Sequence, residues 1–245
     1  MKFRGDYACF SDAASRCAGY ADDVILDRVA AAAERVRRGE GAYEQDGRVF
    51  ETRTYVWPVL ANLLWIAGRS GQRLHVLDFG GSLGSNYYRH LPYLERLEHV
   101  QWSIVEQPNY VARGQRQFQD ERLRFFPDIA ACLRDATPDV VFLSGVVQYL
   151  PSPHSFLAEL RESGVEFLLF DRTPFVRPPR ARDWLTLQHV GEPNYPATYP
   201  AWFFEKEAFL RPFAPSYRLL EEFDSGDHAN IPSDYRGLLF HRQAK

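Results

Sequence analysis

The chain of 245 residues has little cysteine: Cys9, Cys17 and Cys132 are an odd number, with no Cys-x-x-Cys pair among them. That speaks against a disulfide framework, and the three thiols read as structural residues of a protein in a reducing compartment. Long apolar runs are also lacking. The longest, YVWPVLANLLWIAG, falls short of the roughly 20 residues a membrane span needs, and the opening MKFRGDYACF has no apolar core of signal-peptide length, so the expected location is the cytoplasm. Nor is there an excess of one charge. With 29 Lys and Arg against 32 Asp and Glu the formal net charge is −3, which argues against nucleic acid as a partner. Arginines cluster at Arg35, Arg37 and Arg38 and again at Arg177, Arg180 and Arg182, short runs of the kind that line a solvated face. Internal repeats, low-complexity tracts and His, Cys, Asp or Glu groupings at metal-ligand spacing are missing, so no metal site is expected.

What is present is a 45% hydrophobic composition, enough for one sizeable core. Residues 1–70 read as a helical N-terminal extension or cap. In DDVILDRVAAAAERVRRG, Leu26, Val29, Ala30, Ala33 and Val36 recur at helical spacing, with Asp22 or Asp23 to cap the start and Gly39 to end it. A second helix, apolar on most faces, is expected around 56–67, closed by Gly68 and Gly71. From 71 to 245 the rhythm is that of an α/β domain. LHVLDFG (74–80), VQWSIVE (100–106), LRFFP (123–127), DVVFLSG (139–145) and VEFLLFD (165–171) have the near-continuous hydrophobicity of buried parallel strands. Helices fit between them near 85–97, 109–119, 128–135 and 153–162, which implies a sheet wound on both faces. After Asp171 comes a proline- and aromatic-rich insertion, near 172–205, read as a long substrate loop with a short helix at Lys206. YRLLEEF (217–223) and GLLFHRQ (237–243) then form a final antiparallel pair, which makes seven strands in all.

The stretch VLDFGGSLGSNYY joins the first of these strands to its helix, where ligands bind in open α/β sheets, and its glycines let backbone N–H groups approach a ligand. It lacks the dinucleotide fingerprint G-x-G-x-x-G, since Ser82 and Ser85 stand where the second and third glycines would fall. Its form is instead D-x-G-x-(G/S)-x-G, with Asp78, Gly80, Ser82 and Gly84 in place and Gly81 between. In this it resembles the class I S-adenosylmethionine-dependent methyltransferases. That cofactor has a carboxylate suited to a helix N-terminus and an ammonium suited to a carboxylate such as Asp78. Glu106, 28 positions after Asp78 (106 minus 78), ends the second strand, where it can accept both ribose hydroxyls. Asp128 and Ile129 follow the third strand, placed for the adenine amino group and ring. Ser144 to Gln148 follow the fourth and border the sulfonium end.

Over nearly its whole length the chain also resembles a bacterial family of methyltransferases, known chiefly by sequence and often met among surface-polysaccharide biosynthesis genes. The residues that carry this are GYADDVIL, VLDFGGSLGSNYY, LLFDRTPF and LTLQHVGEPNYPATYPAWFFEKEAF. The resemblance implies a Rossmann-like class I fold and methyl transfer, without fixing a substrate; Ser82 stands where the class commonly has glycine. The expected acceptor is a small molecule, most simply a hydroxyl of a sugar or related metabolite. The candidate catalytic residues are His189, whose imidazole changes charge nearest neutrality and can take the hydroxyl proton, and Asp171, which would orient that imidazole or the substrate. Arg172, Tyr195, Tyr199 and Trp202 are the candidate substrate contacts, and Pro193, Pro196 and Pro200 would stiffen their loop. Two other readings stay open: a nicotinamide-dependent oxidoreductase, and a regulatory protein that keeps the cofactor pocket without catalysis.

Overall fold

The computed structural model of the protein describes residues 2–17, 23–191 and 197–243. In chain order its elements are β1 (Lys2–Tyr7), α1 (Phe10–Ala14), α2 (Asp23–Arg37), β2 (Tyr43–Gln45), β3 (Arg48–Phe50), α3 (Trp57–Arg69), β4 (Arg73–Phe79), α4 (Ser85–Leu94), β5 (His99–Val105), α5 (Pro108–Gln117) and β6 (Leu123–Phe126). There follow α6 (Ile129–Asp135), β7 (Val140–Ser144), a 3-10 turn (Val147–Tyr149), α7 (Pro153–Glu162), β8 (Phe167–Val176), β9 (Trp184–Val190), β10 (Ala197–Phe203), α8 (Lys206–Leu210), β11 (Tyr217–Asp224) and β12 (Ser233–Arg242). Seven strands make one sheet in the order β11-β12-β8-β7-β4-β5-β6, and β12 alone runs against the other six. This is the expected Rossmann-like fold with its reversed last strand.

The chain divides into two compact units, residues 22–143 and residues 1–21 with 144–245. In the first, β4, β5 and β6 pair in parallel, and Leu74, Val76, Leu77, Trp102, Ile104 and Leu123 are buried, so continuous apolar runs become two-sided strands. Helix α2 buries Leu26, Val29, Ala30, Ala33 and Val36, the stripe its spacing predicts. It ends where Gly39 takes a left-handed φ of 78° and the Glu40 N–H reaches back to the Arg35 carbonyl at 2.9 Å, a turn that satisfies the last carbonyls.

In the second unit, β8 runs five residues past its expected end at Asp171, to Val176. Two parts of the chain differ from expectation. Residues 1–70 are not helical throughout: β1 is a strand and β2–β3 a hairpin, and residues 1–21 pack with a different unit from 22–70. The insertion is not a loop, because β9 and β10 within it form a three-stranded antiparallel sheet with β1. Proline sits in β10 without breaking that sheet because β10 is an edge strand, where an absent N–H is tolerated.

Candidate functional site

In the unit of residues 22–143 the parallel strands bring together the turn 80–84, Asp78 and Glu106. Asp78 is the penultimate residue of β4 and 1% exposed; the Trp102 indole N–H donates to its Oδ2 at 2.9 Å. Burial pushes its carboxyl up to about 7, against the lowering effect of the Trp102 bond and helped by the nearby Glu106 charge. The turn lies directly on this carboxylate. A Cβ on Gly81 would stand 2.5 Å from Asp78 Cγ and 2.6 Å from Oδ2, so only glycine fits. Gly80, Ser82 and Gly84 have φ of 73°, 56° and 101°, and Gly84 is the N-cap of α4 with no side-chain cap of its own, which leaves the first N–H groups of the helix to other partners. Ser82 is the departure from glycine in this left-handed run.

Glu106 follows β5 and is half-buried. Its Oε1 accepts from the Ser82 N–H at 3.3 Å and its Oε2 from the Gln107 N–H at 2.7 Å. Burial raises its pKa and those two N–H groups oppose the rise. The acid expected at the second strand is thus coupled to the glycine turn by a direct bond. Asp128 acts as the N-cap of α6, accepting from the Ala131 N–H at 2.6 Å, and is exposed; Ile129 beside it is half-buried. Sequence reasoning missed Trp102, which holds Asp78 from the neighbouring strand. Only the register Val76↔Trp102 brings it there.

In the unit of residues 1–21 and 144–245, Asp171 and Arg172 sit in a β-bulge of β8. The pairing with β12 shifts between Arg236 and Leu238, and Arg172 takes a φ of 56°. Asp171 is 2% exposed and accepts from the Ser144 and Ser225 hydroxyls at 3.0 Å each; burial, foremost, raises its pKa, although Arg172 and the two hydroxyls work the other way. The Arg172 N–H donates to Ser225 Oγ at 3.0 Å and its Nε to Asp227 Oδ2 at 2.7 Å. Ser144 and Gln148, expected at the cofactor, are here joined to Asp171 and to the Arg172 carbonyl. Ser225 and Asp227 had no signal in the sequence, since they lie on a loop more than 50 positions away.

His189 and the aromatics of the insertion are sorted by the faces of the three-stranded sheet. His189 lies opposite Lys2 and Thr198, with its Nδ1 3.2 Å from Thr198 Oγ1, whereas Gln188, opposite Phe3 and Tyr199, turns to the other face. On that second face the Tyr149 hydroxyl donates to Gln188 Oε1 at 2.8 Å, and the Tyr149 ring meets Tyr199 edge-on at 5.2 Å. So Tyr199 joins Tyr149 and Gln188, and His189 faces away from them. Trp202 packs with Ala13, Leu185 and Leu187 and donates to the Leu150 carbonyl at 3.2 Å. Tyr195, with Pro193 and Pro196, lies outside the described residues. Among the described residues no group of three or more His, Cys, Asp or Glu is placed to hold a metal ion, and no helix is long and apolar enough to cross a membrane.

No protein-family model and no curated protein matches the sequence. Solved structures do share its fold. The N-terminal domain of EvdMO1, crystallised in the presence of SAH and D-fucose, is 11% identical over 86% of this chain and 96% of its own, with a TM-score of 0.51. A SAM-dependent methyltransferase from Methanosarcina mazei is 11% identical over 78% of this chain and 99% of its own, also at 0.51. At that identity the likeness establishes the fold: this is a Rossmann-like methyltransferase fold.

Proposed function

We propose that the protein binds S-adenosylmethionine and transfers its methyl group to a small polar acceptor, a hydroxyl of a sugar or related metabolite. The observation that carries this reading is the glycine turn closed on two carboxylates, Asp78 packed against Gly81 and Glu106 bonded to the Ser82 N–H. The donor set fits the cofactor. The uncapped start of α4 suits a carboxylate, and the buried Asp78 suits an ammonium. Glu106 can exchange its two backbone partners for adjacent ribose hydroxyls. Asp128 and Ile129 are assigned to the adenine, where Asp128 would keep its capping bond. When bound, the cofactor supplies an electrophilic methyl group on a sulfonium.

For the acceptor, the residues available to orient a hydroxyl and take its proton are those around Asp171, a buried carboxyl whose raised pKa makes it a better base than an exposed aspartate. Arg172 and Tyr199 are assigned to acceptor contacts beside it. His189 is the weaker base candidate, because it turns away from Tyr149 and Tyr199. The family resemblance to polysaccharide-associated methyltransferases, together with the sugar present in the EvdMO1 crystal, supports a sugar acceptor.

Calorimetric titration with S-adenosylhomocysteine and with NAD tests the cofactor assignment. The expected result is binding of the first and none of the second, and Glu106→Ala should weaken it by roughly 1.5–3 kcal/mol, the scale of a hydrogen bond to a charged group. Binding of NAD without S-adenosylhomocysteine would establish the oxidoreductase alternative. Cofactor binding without turnover on any acceptor of a sugar panel would favour the regulatory one.

A further inference from the structure

We propose that Gln148 recognises the acceptor: its carboxamide oxygen receives a hydroxyl of a neutral, polyhydroxylated ligand of the sugar class. The inference rests on the methyltransferase reading and moves Gln148 from the cofactor, where sequence position had put it, to the acceptor. Gln148 is the middle residue of the 3-10 turn (Val147–Tyr149) and is 5% exposed. Its Nε2 donates to the Arg172 carbonyl at 3.3 Å, which fixes the amide's orientation, since the flipped amide would set oxygen against oxygen. The oxygen that remains is buried and has no hydrogen-bond partner among the described residues.

A buried acceptor with no donor is uncommon and unfavourable, and an apolar side chain of the same length would avoid it. A second unfavourable feature lies beside it. Arg172, the residue whose carbonyl Gln148 binds, holds a left-handed φ of 56° within a strand, a conformation a branched or long side chain adopts only when its surroundings enforce it. Three contacts enforce it here: the Ser225 hydroxyl on its N–H, the Asp227 carboxylate on its Nε, and Gln148 itself on its carbonyl. Local strain and an unmet polar atom at one place are the pattern of a ligand site.

The chemistry of the neighbours selects the ligand. Asp171 already accepts from the Ser144 and Ser225 hydroxyls, and Arg172 is paired with Asp227, so both charged groups have hydrogen-bond partners within the protein. What is offered is a neutral acceptor oxygen next to Tyr149, whose ring lies edge-on to Tyr199. A hydroxyl answers the oxygen, and a saturated ring with apolar C–H faces answers the aromatic rings; a phosphate would set mostly negative oxygens against an acceptor oxygen, and an ammonium would call for a carboxylate.

Saturation-transfer NMR titrations of D-fucose and D-glucose, on the full chain saturated with S-adenosylhomocysteine, provide the test. Wild type should bind at least one of the two. Gln148→Met keeps the length and removes the whole carboxamide, the oxygen together with the Nε2 bond to the Arg172 carbonyl, and should weaken that sugar by about tenfold or more, since a site built to meet a hydroxyl discriminates through it. S-adenosylhomocysteine affinity should stay within about twofold, and the melting temperature should fall only by what the single 3.3 Å bond to the Arg172 carbonyl contributes, because the lost oxygen had no partner. Gln148→Leu replaces the methionine variant should that one melt early. If wild type binds S-adenosylhomocysteine but neither sugar, this proposal falls and the methyltransferase reading stands. If the methionine variant loses the cofactor and keeps the sugar, the oxygen belongs to the cofactor and the proposal falls. Absence of S-adenosylhomocysteine binding by wild type removes the reading underneath both.

Discussion

Two glycines with the same formula have opposite roles. Gly81 has Asp78 so close that a methyl group would overlap the carboxyl carbon, whereas Gly68, inside α3, has nothing within 4 Å of where its Cβ would stand. Gly81→Ala must therefore displace Asp78 or open the turn, and is expected to reduce S-adenosylhomocysteine affinity by at least about tenfold and to lower stability by about 1–3 kcal/mol through overpacking. Gly68→Ala adds a better helix former at an open position and should stabilise the chain by roughly 0.5–1 kcal/mol. Urea denaturation of the two variants checks both signs, and equal effects would mean the turn does not press on Asp78. From sequence alone these residues differ only in their neighbours: Gly68 ends an apolar helix, and Gly81 lies in a recognisable turn. The identity of the group under Gly81 follows from the backbone path.

At the scale of elements, β1 shows how a short strand is held. Its partner β9 lies 187 positions away (189 minus 2), and the strand is pinned by Phe3, which is buried and meets Phe203 edge-on at 4.9 Å. The Asn230 side chain accepts from the Phe3 N–H at 2.7 Å and donates to its carbonyl at 2.9 Å, and the Trp184 indole donates to the Gly5 carbonyl at 2.9 Å. Asp6 meets Arg180 and Arg182 in ion pairs at 2.9 Å, which gives part of the second arginine cluster its place on the surface. The apolar anchor dominates. Phe3→Ala should cost about 3 kcal/mol or more, a buried ring lost with a cavity in its place, while Asp6→Ala should change stability by less than about 1 kcal/mol because Asp6 and Arg182 are exposed. Chemical denaturation separates these, and a larger effect at Asp6 would make the strand's attachment electrostatic. Helices and parallel strands were legible because their periodicity is local. Strands β1, β9 and β10 were not, since KFRGDY is short and charged, and proline in β10 reads as loop until its edge position is known.

For the whole molecule, buried carboxyl groups set the response to pH. Asp78 and Glu44 are both raised to about 7 by burial. A group whose folded pKa lies above its unfolded value contributes stability that is complete below the unfolded pKa and is lost as pH rises through the folded one. For these two the loss runs from about pH 4 to just above 7. His90, lowered to about 4 by burial, acts oppositely: its contribution is present above its unfolded pKa near 6.5 and is lost as pH falls toward 4. Between pH 6.5 and 8 the carboxyl groups dominate, so the melting temperature of the ligand-free protein should fall across that interval. Asp78→Asn should flatten the fall and raise stability at pH 8 by on the order of 1–2 kcal/mol, while weakening S-adenosylhomocysteine binding. Thermal scans at several pH values decide this; a melting temperature that rises from pH 6.5 to 8 in wild type would show that Asp78 is ionised in the ligand-free fold. Binding of the cofactor ammonium would draw Asp78 to its charged form, so calorimetry near pH 6 should also register proton release.

The sequence by itself determined the alternation of strands and helices, the seven-stranded sheet with its reversed last strand, and the positions of Asp78, the turn 80–84 and Glu106, because each depends on apolar period or on spacing along a few neighbouring residues. The tertiary structure alone decided what those positions touch. Trp102 beneath Asp78, Ser225 and Asp227 beside the strained Arg172, and Tyr199 turned toward Gln188 while His189 turns away, all depend on register between segments far apart in the chain. In a strand a shift of one residue reverses which face a side chain occupies, so pairing register, set by the packing of distant segments, assigns each side chain its neighbours.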